Sequence, residues 1–171
     1  MTVGKPYRIA VVCLGNICRS PMAGAVLEDR IRRAGLDDRV EVVSAGTGDW
    51  HIGNPMDRRA AAALAAAGLD PSGHRAQQFE ATWFDSFDLV LAMDAANRDD
   101  LAALGAEVGV NPERVRMFRD FDPLADDTDR EVPDPYYGGD EGFDTVLRIV
   151  QRTADHLVAW LEGQLLRSER R

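Results

Sequence analysis

Two apolar rhythms alternate along the chain. Ile9-Ala10-Val11-Val12, Val40-Glu41-Val42-Val43, Phe87-Asp88-Leu89-Val90-Leu91-Ala92-Met93 and Val115-Arg116-Met117-Phe118 are apolar runs of strand length. The first is unbroken, as expected of a strand covered on both faces. Between these runs, apolar residues recur every three or four positions. Met22, Val26, Leu27, Ile31 and Leu36 predict a helix that closes near Gly35, and Phe143, Val146, Leu147, Val150, Leu157, Leu161 and Leu165 predict one that runs almost to the end. Asn54-Pro55 predicts the start of a helix through the alanine-rich stretch to Gly68, where alanine reflects helix propensity and close packing. Asp94 should cap the helix after the third strand. Ser44-Ala45-Gly46 should break the second strand and leave the loop Thr47-Gly48-Asp49-Trp50-His51 at its carboxyl end. Strands interleaved with helices predict an α/β fold: a small, doubly wound, about four-stranded parallel sheet with helices on both faces and ligands at the strands' carboxyl ends. No linker or repeat divides the 171 residues, so residues 1–171 are read as a single domain.

The candidate chemistry lies at the end of the first strand. Cys13 and Arg19 stand in C-x5-R spacing around Leu14, Gly15, Asn16, Ile17 and Cys18, and Ser20-Pro21 reads as a helix start, with serine as N-cap and proline as first helical residue. A loop that joins a strand end to a helix start presents unpaired N–H groups and the positive end of a helix dipole, which together cradle an anion. Gly15 permits the tight turn. A thiol aimed into that cradle beside a fixed cation favours its thiolate form, a nucleophile suited to phosphorus. The planar fork of Arg19 can hold two phosphoryl oxygens at once, and Ser20 can also donate to the thiolate.

Net charge and cysteine content narrow the partners. A formal charge of -9 argues against nucleic acid and anionic membrane, both of which require a basic face. Two cysteines, five apart, make neither a disulfide framework nor a zinc set, and no metal or cofactor is expected. Lys5 and Arg8 before Ile9 mimic a signal peptide, but the apolar run is too short, so no targeting segment or membrane insertion is expected and the cytoplasm is the default location. From Phe118 to Phe143 the chain is loop-like and acidic, and Asp120, Asp122, Asp126, Asp127, Asp129, Glu131 and Asp140 read mainly as a solvated face. Asp134, between Pro133 and Pro135, reads on the residues alone either as a turn former or as a rigid general acid.

The runs V-C-L-G-N-I-C-R-S-P, S-A-G-T-G-D-W and D-P-Y-Y-G resemble the low-molecular-weight protein tyrosine phosphatases, over nearly the whole chain from about Tyr7. The resemblance implies metal-independent hydrolysis of tyrosine-phosphorylated proteins through a cysteinyl phosphate on Cys13, with inorganic phosphate as product. It makes Asp134 the acid that protonates the leaving phenolate. Trp50 and Tyr136 would flank the substrate ring, with Tyr137 as a second wall or a phosphorylation site. His74 would brace the loop, together with Asn16 and Ser44, although alone it reads as an ordinary surface histidine; His51 and His156 carry no other meaning. Ile17 favours phosphotyrosine, because phosphoarginine-specific relatives have threonine there. Cys18 is either a packed thiol or the partner of Cys13 in a protective, reversible disulfide. A thioredoxin-coupled arsenate reductase would need further cysteines downstream, and a non-catalytic phosphotyrosine-binding module would be expected to lack the nucleophile or the acid.

Overall fold

In a computed structural model that describes residues 4–169, four parallel strands form one sheet. They are β1 (Tyr7–Cys13), β2 (Val40–Gly46), β3 (Leu89–Ala92) and β4 (Val115–Met117), in the order β2-β1-β3-β4. The helices are α1 (Arg19–Arg33), α2 (Arg58–Ala66), α3 (Ala95–Ala106) and α4 (Glu141–Glu169). Alternate residues of the central strands face opposite layers. Ile9 and Val11 of β1 join Leu89 and Leu91 in a core with Met22, Val26 and Leu27 of α1, Leu64 of α2, and Val150, Leu157 and Leu161 of α4. Ala10, Val12, Val90 and Ala92 face the other side, against Leu101 of α3 and the aromatic group Phe79, Phe84 and Phe87. The doubly wound α/β fold with helices on both faces is therefore present. Because the chain moves from β1 outward to β2 and then returns to the far side of β1 for β3, the sheet has its topological switch between β1 and β3, the place where such folds bind ligands.

Several boundaries differ from the sequence reading. Ser44, Ala45 and Gly46 do not end β2; they pair with Val11, Val12 and Cys13, so the ladder to the buried central strand overrides their weak strand propensity. Helix α2 begins later than Asn54-Pro55, at Arg58, because Asp57 caps it by accepting from the Arg59 N–H at 2.8 Å, while Asn54 exchanges backbone bonds with His51 and Ala76. Phe87 and Asp88 precede β3, with Phe87 in the aromatic group and Asp88 accepting from the Arg8 N–H. Helix α1 starts at Arg19, so Ser20 is not its N-cap and Pro21 is not its first residue. Proline is still tolerated there, since N–H groups of a first turn lack intrahelical partners. The acidic stretch is not uniformly solvated either: the Asp122 carboxylate is fully buried between Arg119 and Arg152.

Candidate active site

The loop between β1 and α1 closes over one polar side chain. Asn16 is the one non-glycine residue with positive φ among those described (58°), a conformation asparagine tolerates better than most residues. Its side chain is wholly buried and fully partnered: Nδ2 donates to Ser20 Oγ (2.8 Å) and Ser44 Oγ (3.1 Å), and Oδ1 accepts from the Gln77 N–H (2.9 Å). Its carbonyl accepts from His74 Nε2 at 2.7 Å, which fixes that histidine as the Nε2–H tautomer. Burial lowers the His74 pKa, against the opposing pull of the Asn16 carbonyl, so the ring is neutral near pH 7. Loop and β2 approach so closely that a Cβ at Gly46 would lie 2.6 Å from the Leu14 carbonyl oxygen, which restricts that position to glycine.

Cys13 Sγ lies at the bottom of this loop, 3.3 Å from the donating Asn16 N–H and 3.0 Å from Ser20 Oγ. Ser20 Oγ also reaches the Ala45 carbonyl at 3.2 Å. Its one proton can go to that carbonyl or, when the sulfur is a thiolate, to Sγ. The sequence assigned Ser20 to the helix cap as well, but its hydroxyl is committed to the loop. Arg19, almost completely buried, donates from Nη1 to Asp94 Oδ2 (2.6 Å) and to the Val132 carbonyl (3.2 Å). Burial opposes the arginine charge, but Cys13, Asp94 and Asp134 together outweigh it and raise the Arg19 pKa, so the cation persists at all relevant pH.

Asp134 sits across the cleft from the loop, with Oδ2 3.6 Å from Arg19 Nη2 and Oδ1 accepting from the Tyr136 N–H at 3.1 Å. One oxygen thus forms the turn, and the other faces the cleft. Together with Leu14, Gly15, Ile17, Trp50, Tyr136 and Tyr137, these groups line a cleft of about 410 Å³. Trp50 is 69 % exposed, and Tyr137 is 91 % exposed with its ring packed edge-on against Tyr136. Arg59 holds the Tyr136 and Gly138 carbonyls at 3.0 and 3.2 Å, and its other bonds go to Asp57, whose N–H donates to the Ile17 carbonyl. Cys18 is buried, and that burial, followed by the charges of Asp57, Cys13 and Asp134, pushes its thiol pKa up to about 12.

Two residues, one behind the cleft and one lining it, were not assigned to the site by sequence. Asp94 caps α3 through Oδ1, which accepts from the Asn97 N–H at 2.7 Å, and this was foreseen, but its second oxygen holds Arg19. Its position at the carboxyl end of the strand beside β1, across the switch point, was the available signal. His51 lines the cleft, and a side chain at Gly15 would meet its ring at 3.0 Å. Among the described residues, no group of three or more His, Cys, Asp or Glu side chains could hold a metal ion, and no helix is long and apolar enough to cross a membrane.

The family model for low molecular weight phosphotyrosine protein phosphatase matches residues 8–168. A low molecular weight protein-tyrosine-phosphatase of Streptomyces coelicolor is 45% identical over 93% of this chain and 96% of its own length, and low molecular weight protein-tyrosine phosphatase A of Mycobacterium tuberculosis is 41% identical over 97% and 98%. Among solved structures, YfkJ of Bacillus subtilis superposes with a TM-score of 0.86 at 34% identity, covering 94% of this chain and 98% of that one. A protein tyrosine phosphatase of Entamoeba histolytica, solved with Hepes in its active site, gives 0.84 at 31% identity, over 92% and 98%. By sequence and by fold alike, the chain belongs to the low-molecular-weight protein-tyrosine-phosphatase family.

Proposed function

We propose that this protein hydrolyses phosphotyrosine on protein substrates through a cysteinyl-phosphate intermediate, without a metal ion, within a single domain spanning residues 1–171. The observation that carries this reading is the convergence of Cys13 Sγ, the buried Arg19 cation and the Asp134 carboxyl on one cleft. The Cys13 thiolate attacks phosphorus in line, forming the S–P bond as the P–O bond to tyrosine breaks. Arg19 and the N–H groups from Leu14 to Ser20 hold the equatorial oxygens, supplying the charge stabilisation that phosphoryl transfer requires. Protonated Asp134 gives its proton to the departing phenolate; the resulting carboxylate takes a proton from the water that cleaves the S–P bond. Products are tyrosine, inorganic phosphate and the starting thiolate. Arg19 keeps its geometry throughout because Asp94 and the Val132 carbonyl fix one end of its fork, while the other end faces the cleft.

Trp50 and Tyr136 serve as walls for the substrate ring, with Tyr137 outside them, and Ile17 gives the floor an apolar edge that favours an aromatic over a guanidinium leaving group. Ser44 and His74 support the loop through Asn16. Cys18, a neutral thiol, either packs the loop or, under oxidation, pairs with Cys13. Phosphate release in EDTA from matched phosphotyrosine, phosphoserine and phosphoarginine peptides, with acid-quench trapping of phosphoenzyme, tests the reading. Turnover of phosphotyrosine alone, with a trapped intermediate that Cys13→Ser abolishes, is expected. Equal turnover of all three peptides, or undiminished turnover by Cys13→Ser, would overturn it.

A further inference from the structure

The excursion that leads up to Asp134 has almost no hydrophobic anchor before Val132, which is buried in the core. From residue 122 to residue 131 the one buried residue is Asp122, and the only large apolar side chain, Leu124, is 65 % exposed. Order in such a stretch has to come from polar contacts; Arg130 pairs with Asp120 and Asp127 at the surface, while the buried contacts meet at the Arg119 guanidinium. Arg119, nearly fully buried just after β4, donates from Nε to Asp122 Oδ2 at 2.8 Å and from Nη1 to the Glu131 carbonyl at 2.9 Å, and its two Nη groups also engage Asp129. Asp122 in turn accepts from Nε and Nη2 of Arg152 on α4, each at 2.8 Å, and from the Leu124 N–H at 2.9 Å. One arginine therefore ties both ends of the 122–131 excursion to each other and to the helix behind it.

The grip lies three residues from Asp134, along a stiff path. Beyond Glu131, the Val132 N–H bonds the Met93 carbonyl and the Val132 carbonyl accepts from Arg19; Pro133 then fixes the backbone angle into Asp134. Glu131 itself accepts from the Ala95 N–H at the start of α3. We propose that Arg119 is a positioning residue for catalysis: through the Glu131 carbonyl, Asp122 and Asp129 it sets the register of the acid-bearing segment, and so the placement of the Asp134 carboxyl over the cleft. The inference rests on Asp134 being the acid. Arg119 touches no reacting atom.

A displaced acid slows reactions in proportion to how much the leaving group needs its proton. The test is kcat/KM in EDTA against aryl phosphates of graded leaving-group pKa, from 2,4-dinitrophenyl to phenyl phosphate. Arg119→Met keeps apolar volume and leaves Asp122 paired with Arg152. Since a positioned acid is worth about 10²–10⁴-fold, partial misplacement should cost roughly 10-fold on phenyl phosphate and less than about 2-fold on the dinitrophenyl ester. Asp129→Ala, at a side chain 64 % exposed, should shift the same slope by less, and it decides the matter should Arg119→Met fail to fold. In an Asp134→Asn background, Arg119→Met should add no further leaving-group sensitivity. A steep slope for Asp134→Asn with a wild-type slope, or an equal loss on all esters, for the folded Arg119 variant would overturn the positioning role alone. A flat slope for Asp134→Asn itself would overturn the acid assignment and the inference with it.

Discussion

Replacing Asn16 with alanine isolates the contribution of the residue on which the loop between β1 and α1 closes. Its side-chain hydrogen bond to the Ser20 hydroxyl is buried, and those to the Ser44 hydroxyl and from the Gln77 N–H are partly buried. At about 1 kcal/mol for the buried bond and about 0.5 kcal/mol for each partly buried one, the loss is about 2 kcal/mol. Alanine at φ 58° adds about 1 kcal/mol of backbone strain that asparagine tolerates. The sum, about 3 kcal/mol, corresponds to a fall in Tm of roughly 6–12 °C for a chain of this size. Thermal and urea unfolding of wild type, Asn16→Ala and Asn16→Gly would measure it, with glycine recovering about 1 kcal/mol of the deficit because it has no Cβ. A deficit below roughly 1 kcal/mol for alanine would refute the hydrogen-bond accounting, and a glycine variant less stable than alanine would refute the strain component.

Other parts of the site make equally direct statements. His74 is held neutral by burial, so its folded pKa lies below the unfolded value; protonation favours the unfolded chain, and its penalty should grow as pH falls below about 6.5. Unfolding midpoints at pH 7.5 and 5.5 should therefore converge between wild type and His74→Gln at the lower pH, and a constant gap would count against this environment. The Asp122 carboxyl is held well below the ordinary carboxylate range: burial opposes the shift, but Arg152, the Leu124 N–H and Arg119 prevail. Its contribution should be complete above about pH 4 and fade as pH falls further, and Asp122→Ala should cost about 3–5 kcal/mol at pH 7, measured by urea unfolding. Undiminished stability in that variant would show that the two arginines need no partner. With its pKa near 12, Cys18 should resist iodoacetamide at pH 8, so mass spectrometry should find one modified thiol at most; rapid double labelling would contradict its burial.

How much of this was legible in the sequence depended on whether the determining contacts were local. The apolar run of β1, the turn into α1 and the spacing of Cys13 and Arg19 are local, and the structure places Cys13 and Arg19 on one cleft. Asp94 was visible as a cap because capping is a short-range contact; its hold on Arg19, seventy-five residues away in sequence, has no local signature. The continuation of β2 through Ser44-Ala45-Gly46 likewise follows from pairing with β1 and not from its own residues. Asp122 shows the limit most clearly. In a run of acids it looks like one more solvated charge, and only the fold brings Arg152 to it from α4.

The distribution of these partners along the chain also sets an order of assembly. Cys13 and Arg19 leave the ribosome early, but Asp94 and Val132, which hold Arg19, emerge later, and Arg152 on α4, which secures the Asp122 anchor, comes near the end. At about 5–20 residues per second, more than a hundred residues separate the loop from that last support by roughly ten seconds of synthesis. A nascent chain thus carries the thiol well before it carries the machinery around it, and phosphatase activity should switch on only as the C-terminal helix docks against α1.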